Sequence, residues 1–203
     1  MDIKVHTEPF HIIEVENLFS EGERLDMFNE MAYLQKQGVF VEPLKAGTAL
    51  SNSGAPLKEN MSLYLDNIWK DRTHSSILNH NRKLFNLLAM EEELKESWFF
   101  KRNCLNVDTT LISYYENADH YKPHSDIAYI TALTWFFKEP KKFSGGSVTF
   151  DDYDITFDIS NSLTLLFPSN INHSVSEVVM SKEFENTQNG RFCMAQFLMI
   201  SPH

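Results

Sequence analysis

The second half of the chain is a series of short, strand-like runs separated by turn sequences. From Trp98 onward we predict strands over 98–105, 109–116, 129–137, 147–150, 153–158, 163–167, 174–180 and 191–200. Turn residues such as Glu139-Pro140, Ser144-Gly145-Gly146 and Pro168-Ser169-Asn170 lie between these runs. Many short strands at nearly regular spacing are typical of a β-sandwich or a β-barrel.

The first half of the chain has helical patterns on either side of a long loop. Ser20 and Glu23 match a capping box, and the apolar residues that follow recur at helical spacing, which predicts a helix over 20–36. A second apolar stripe predicts a helix over 74–90. The loop over 38–60 and the loop after Met180 are candidates for the rim of a substrate site.

The order of these elements indicates the fold class. Helices come first and strands follow without alternation, which argues against a parallel α/β sheet. We therefore predict a single domain of the α+β class, mainly β. Its helical support would cover about 1–97 and its β core about 98–203.

Composition excludes several kinds of protein. The chain has 203 residues and a formal net charge of −10, and its basic residues are scattered, so a nucleic-acid partner is not expected. Its two cysteines cannot form a disulfide framework or a cysteine-based zinc site. No apolar run resembles a signal sequence or a membrane span, so we expect a cytoplasmic protein without a membrane partner.

A His-x-Asp pair, His124 and Asp126, is the strongest candidate for a metal site. If the pair lies on a strand, both side chains point to the same side because the strand period is two. His173, which follows an apolar run and a turn, is the candidate third ligand. Two histidines and one carboxylate on one face of an octahedron leave three positions free, which suits Fe(II) better than zinc.

The segment from Ser113 to Phe197 resembles the prolyl 4-hydroxylase-like branch of the Fe(II)/2-oxoglutarate-dependent dioxygenases. The matching features are Tyr115 and Tyr121 before the His-x-Asp pair, the Gly145-Gly146 turn, the run Leu163–Pro168 before His173, and Arg191 at the start of the last strand. The resemblance implies a double-stranded β-helix, or jelly roll, with the metal between its two sheets. It also implies that His124, Asp126 and His173 are the catalytic metal ligands. The expected cofactors and co-substrates are Fe(II), 2-oxoglutarate and O2, and a need for ascorbate is left open.

Two basic residues compete as the anchor of the 2-oxoglutarate carboxylate. Spacing from the distal histidine in relatives favours Lys182, whereas the strand position favours Arg191. We prefer Arg191, because guanidinium binds a carboxylate bidentately and stays charged when buried. Lys182 lies in a polar sequence that is typical of a solvated loop.

Hydroxyl groups near the metal are the remaining site candidates. Relatives often have a tyrosine where this chain has Phe136, so Thr134 is the candidate hydroxyl partner for the co-substrate. Tyr115 is expected to contact the co-substrate and Tyr121 to line the substrate side. Strand alternation allows only one of Tyr114 and Tyr115 to face inward.

The resemblance implies hydroxylation of a substrate coupled to decarboxylation of 2-oxoglutarate. A prolyl residue in a peptide or protein is the first candidate substrate, and a free amino acid or another small metabolite is the second. A jelly-roll binding module without turnover is the alternative from another class. The sequence does not indicate an oligomeric state.

Overall fold

The structure is a computed structural model that describes residues 1–90, 92–101, 104–161 and 163–201. The described residues form five α-helices: α1 Glu21–Lys36, α2 Leu65–Ile68, α3 Ser76–His80, α4 Lys83–Leu88 and α5 Trp98–Lys101. Short 3-10 helices cover Arg72–His74 and Lys182–Phe184. The strands are β1 Asp2–His6, β2 Ile12–Glu16, β3 Lys58–Glu59, β4 Met61–Tyr64, β5 Val107–Tyr115, β6 His120–His124, β7 Ile130–Phe137, β8 Phe143–Gly145, β9 Val148–Phe150, β10 Ile155–Phe157, β11 Leu163–Pro168, β12 His173–Val175, β13 Val178–Met180 and β14 Arg191–Met199.

The strands form two main sheets, as the jelly-roll prediction requires. The major sheet has seven strands in the order β1-β2-β11-β7-β14-β5-β4, and the minor sheet has five in the order β10-β9-β12-β6-β3. The pairs β11/β7, β7/β14 and β14/β5 are all antiparallel. A further two-stranded ribbon joins β13 to β8.

The central strands of the major sheet are buried on both faces, which explains their nearly continuous apolar sequences. On β14, Phe192 and Met194 pack in a cluster with residues of α1, α3 and α4. Cys193 and Ala195 point the other way and pack with residues of the minor sheet. This alternation assigns each residue of the major sheet either to the helical layer or to the space between the sheets.

The predicted helix over 20–36 is confirmed. The side-chain oxygen of Ser20 accepts a hydrogen bond from the Glu23 backbone N–H, and the Glu23 carboxylate accepts one from the Ser20 backbone N–H at 2.8 Å. The predicted helix over 74–90 is interrupted, since α3 ends at His80 and α4 begins at Lys83. Asn81 lies at the break, fully buried, and its amide donates to the Thr110 hydroxyl at 2.8 Å.

The structure corrects three further predictions. The strand over 98–105 is wrong, because Ser97 caps a short helix there by accepting from the Phe100 N–H at 3.2 Å; residues 102 and 103 lie outside the described part. The strand over 174–180 is two strands, β12 and β13. The region 1–97 is not only helical, since β1 to β4 extend the sheets.

No helix in the described ranges has the length and apolar character needed to cross a membrane.

Candidate metal centre

His124, Asp126 and His173 meet between the two sheets. β6 ends at His124 and β12 begins at His173, and these two residues are direct partners in the minor sheet. One potential ligand atom from each of the three side chains lies within 4.8 Å of the others. His124 Nε2 lies 3.8 Å from Asp126 Oδ1, and His173 Nε2 lies 3.6 Å from Asp126 Oδ2. The three side chains of the predicted triad are therefore brought together.

Asp126 reaches the centre by a route other than strand alternation. β6 stops at His124, and Asp126 lies in the loop that follows. Its backbone N–H donates to the Ser169 carbonyl at 2.8 Å, and its Oδ2 accepts from the Thr131 hydroxyl at 2.7 Å. The expectation that 124 and 126 share a strand face is corrected accordingly, since two hydrogen bonds outside β6 fix the loop and the carboxylate.

The donor set fits a divalent metal. Each histidine places Nδ1 next to the backbone carbonyl two residues earlier, at 2.9 Å for His124 and 3.0 Å for His173, which leaves Nε2 directed at the centre. Backbone carbonyls commonly orient metal-binding imidazoles in this way. In an octahedral site with bonds of about 2.1 Å, neighbouring ligand atoms lie about 3 Å apart. The observed separations require only a small inward movement.

Burial sets the charge state of this centre. It lowers the pKa of His124 to about 3, with the neighbouring His173 acting in the same direction, so the imidazole is neutral as a metal ligand must be. Burial also raises the pKa of Asp126, since the charged carboxylate is unfavourable there. A cation bound at the centre would remove that penalty.

A cavity of about 270 Å³ opens from the triad into the space between the sheets. Its walls are mainly apolar and include Leu111, Leu133 and Val148. Of the two loops expected at a rim, residues 47–49 of the loop over 38–60 do line the cavity. The loop after Met180 contributes no lining residue, among the parts of the chain that the structure describes.

Arg191 is fully buried on the face of β14 that is turned toward the minor sheet. It has the same orientation as Cys193 and Ala195, which line the cavity. Its guanidinium carbon lies 4.1 Å from the ring centroid of Tyr115. None of its Nε, Nη1 and Nη2 atoms has a hydrogen-bond partner among the described residues. A buried charged group with three unsatisfied nitrogens calls for an anionic ligand.

Of the glycine pair before β9, Gly146 makes room for this arginine, and Gly145 makes room for the backbone of Glu177. A Cβ at Gly146 would lie 2.7 Å from Arg191 Nε, and a Cβ at Gly145 would lie 2.0 Å from the Glu177 carbonyl oxygen. Both glycines also have φ of +71°, which disfavours other residues. Lys182, the competing anchor, is exposed and lies in the short 3-10 helix Lys182–Phe184.

The two tyrosines of β5 face opposite sides. Tyr115 lines the cavity, whereas Tyr114 packs in the helical layer and donates to Glu116 at 2.6 Å. Burial raises the pKa of Tyr115, so its hydroxyl stays protonated. Tyr121 also lines the cavity, and its ring stacks on His124 with the centroids 3.4 Å apart.

The expectation for Thr134 is corrected. Thr134 lies on the helical face of β7, where its hydroxyl is 2.9 Å from that of Thr164, and it does not reach the cavity. Trp135, one residue on, faces the cavity, is fully buried, and has an indole N–H without a hydrogen-bond partner. Trp135 pairs with Cys193 and therefore shares the face of Arg191, a register that the local sequence does not indicate.

Lys58 is the other site residue that sequence reasoning missed. It falls within the predicted loop over 38–60, but it lies on β3, pairs with Tyr121 and is only 2% exposed. Its side chain lines the cavity, and burial lowers its pKa to about 8. β3 has only two residues, buried Lys58 and exposed Glu59, and an alternation of two residues is too short to predict a strand from sequence.

Solved structures of known enzymes share this architecture. A prolyl 4-hydroxylase from Pseudomonas putida aligns with a TM-score of 0.62 and 10% identity, over 94% of this chain and 93% of that chain. A viral collagen prolyl hydroxylase from Paramecium bursaria Chlorella virus-1, in a complex with 2-oxoglutarate, aligns with a TM-score of 0.58 and 11% identity, over 94% and 96% of the two chains. The chain has the prolyl 4-hydroxylase fold.

The fold also occurs in an enzyme with another reaction. A non-haem α-ketoglutarate-dependent epimerase from nogalamycin biosynthesis aligns with a TM-score of 0.53 and 13% identity, over 93% of this chain and 78% of that chain. No family model matches the chain, and no curated protein is similar to it in sequence. The jelly-roll prediction is thus confirmed by structure, while the choice of substrate is not decided by fold.

Proposed function

We propose that the protein is an Fe(II)- and 2-oxoglutarate-dependent dioxygenase that hydroxylates its substrate. The observation that carries the proposal is the buried Arg191 guanidinium without a partner, in the same inter-sheet layer as the His124, Asp126 and His173 triad. The triad alone would suit several metals. A triad together with a buried cation suits a metal-chelating acid that has a second carboxylate.

Each residue has a defined task in this proposal. His124, Asp126 and His173 would hold Fe(II) and leave three coordination positions for the keto acid end of 2-oxoglutarate and for O2. Arg191 would bind the distal carboxylate, and the indole N–H of Trp135 and the Tyr115 hydroxyl are donors on the same wall. Bound Fe(II) would activate O2, with one oxygen atom passing to succinate as CO2 is released and the other to a substrate C–H bond.

The surrounding residues prepare the cavity for this chemistry. Tyr121 holds the His124 ring by stacking and is itself fixed by the Ala49 backbone N–H, which donates to its hydroxyl at 3.2 Å. Thr131 orients the Asp126 carboxylate and contacts the Ser169 hydroxyl at 2.9 Å. Apolar walls exclude water and strengthen the electrostatic interactions inside.

For the substrate, a prolyl residue in a peptide or protein is the first candidate, and two neighbours in fold that are prolyl hydroxylases support it. A free amino acid or another small metabolite is the second. The cavity volume favours this class, since about 270 Å³ is just below the range of ligand pockets, which span roughly 300–1,000 Å³. A binding module without turnover would have no need for a complete triad together with Arg191.

The test is succinate formation from 2-oxoglutarate with Fe(II), O2 and ascorbate, in the presence of proline-containing peptides and free amino acids. We expect turnover that depends on one class of substrate and is lost in Asp126→Ala. Calorimetry gives a second measurement that does not need turnover: it measures the affinity for Mn(II) and then the affinity of the Mn(II)-loaded protein for 2-oxoglutarate. If the wild-type protein does not bind Mn(II), or binds Mn(II) but not 2-oxoglutarate, the proposal is refuted.

A further inference from the structure

Lys58 is a buried cation with too few partners. Its Nζ donates to the Ser62 hydroxyl at 3.0 Å, and Ser62 Oγ in turn contacts Asn60 Oδ1 at 2.9 Å and Ser113 Oγ at 3.0 Å. Within the described ranges, no carboxylate oxygen lies within 4.0 Å of Nζ. An ammonium group has three donors, so two remain for a ligand. Leaving such a group buried without a counterion costs several kcal/mol.

The backbones of Lys58 and Arg191 belong to opposite walls of the cavity. Lys58 lies on the edge of the minor sheet beside β6, whereas Arg191 lies on β14 of the major sheet. Lys58 Nζ is 5.6 Å from the ring centroid of Tyr121, and that ring covers His124. The lysine is therefore one ring away from the metal centre, and its side chain crosses the space between the sheets to Ser62 of β4.

The charges of the proposed complex leave Lys58 uncompensated. The metal contributes +2, Asp126 −1, dianionic 2-oxoglutarate −2, and Arg191 and Lys58 +1 each, which leaves one excess positive charge in the complex. Of these two cations, Lys58 is the one without a carboxylate in ion-pair contact, among the described residues and the proposed ligands, and it lines a mainly apolar cavity. A substrate that carries one negative charge would neutralise it.

We propose that Lys58 binds a carboxylate of the substrate, so that the substrate is a free amino or imino acid or the C-terminal residue of a peptide rather than an internal residue. This inference rests on the dioxygenase proposal and narrows its substrate class. The polar groups around Lys58 support it, because Ser62 accepts from the ammonium and Ser113, which contacts Ser62 Oγ, lines the cavity next to it. The small cavity agrees with a ligand that ends at this wall.

The experiment uses acetate and acetamide, which share a shape but differ in charge. The protein carries ¹⁵N-labelled lysine and is loaded with Zn(II), a diamagnetic substitute for iron, and with saturating 2-oxoglutarate. The Lys58 Nζ resonance is assigned by its loss in Lys58→Met and followed during titration. We expect acetate to shift it with at least tenfold higher affinity than acetamide.

Variants and larger ligands complete the design. Lys58→Met keeps the length of the side chain and removes its charge, and it should bind acetate and acetamide equally while its affinity for 2-oxoglutarate stays within threefold of wild type. Lys45→Met, at an exposed lysine, is the matched control and should behave as wild type. Proline, glycylproline and glycylprolinamide, competing with acetate, distinguish a free acid from a peptide C-terminus.

Two outcomes overturn the inference: equal binding of acetate and acetamide by wild type, or a tenfold or greater loss of 2-oxoglutarate affinity in Lys58→Met. The second would make Lys58 the co-substrate anchor. Failure of the dioxygenase proposal has a separate signature. If metal and 2-oxoglutarate do not bind but acetate still shifts the Lys58 resonance, the carboxylate site is upheld and the dioxygenase proposal is refuted.

Discussion

Replacing Arg191 with methionine should change two measurable quantities in opposite directions. In the protein without ligands, the guanidinium is fully buried and its three nitrogens have no partner among the described residues. Methionine fills a similar volume without a charge. The change should therefore stabilise the protein without ligands and weaken its binding of 2-oxoglutarate.

The magnitudes follow from the environment of Arg191. Removing an unpaired buried charge should stabilise the fold by a few kcal/mol, and loss of its stacking on Tyr115, about 1 kcal/mol, offsets part of this. A net gain of about 2 kcal/mol raises the Tm by about 4–8 °C for a chain of this size. Loss of a buried, hydrogen-bonded charge pair with the co-substrate costs about 3 kcal/mol, which weakens 2-oxoglutarate binding roughly 100-fold.

Calorimetry on the Mn(II)-loaded protein measures the Kd of 2-oxoglutarate, and thermal unfolding without metal measures the Tm. Lys182→Met is the matched control, because this exposed lysine is the competing anchor from sequence, and it should change neither quantity. A 2-oxoglutarate Kd that stays within threefold in Arg191→Met, or that rises in Lys182→Met instead, would contradict the assignment of Arg191.

Three further predictions concern the cavity wall and the fold. Trp135→Phe removes a donor to a charged group, worth about 1.5–3 kcal/mol, and should weaken 2-oxoglutarate binding by about tenfold or more, while exposed Trp98→Phe should not. Burial lowers the pKa of Lys58 from 10.5 to about 8, so between these pH values the folded protein loses the Lys58 proton while the unfolded chain keeps it. As the pH rises from 8 to 10.5, the unfolding free energy of wild type should therefore increase by about 3 kcal/mol relative to that of Lys58→Met. Urea titrations with EDTA measure both proteins, and a difference that stays constant with pH would contradict the burial effect. Ser20→Ala should lower the unfolding free energy by about 1 kcal/mol, and Ser181→Ala, at a cap without a side-chain hydrogen bond, should not.

Sequence patterns were sufficient for the features that depend on local order. The capping box at Ser20 fixed the start of α1, and motif spacing identified His124, Asp126 and His173, which the fold brings together. Alternation along β14 correctly assigned Arg191 to the inter-sheet face. The cap and the strand alternation are predictable because neighbouring residues determine them, whereas the triad followed from the order of motifs shared with a known family, since His173 lies far from His124 in the chain.

Features that depend on pairing between distant strands were harder to predict. Thr134 was assigned to the wrong face because a shift of one residue exchanges the two sides of a strand, and only the pairing of Trp135 with Cys193 fixes which side faces the cavity. Lys58 was missed because β3 has two residues and owes its place to pairing with β6. Neither register is encoded locally.

The early strands also determine where the chain can be cut. β1 and β2 cover one border of the seven-stranded sheet by pairing with β11, β4 covers the other by pairing with β5, and β3 closes the smaller sheet at β6. A fragment that begins at residue 98 would keep every proposed metal ligand but present unpaired backbone along three borders. Unpaired strand borders bind the edges of other chains, so we expect that fragment to aggregate. The segment before residue 98 is then as necessary for a folded metal centre as the metal-ligand motif itself.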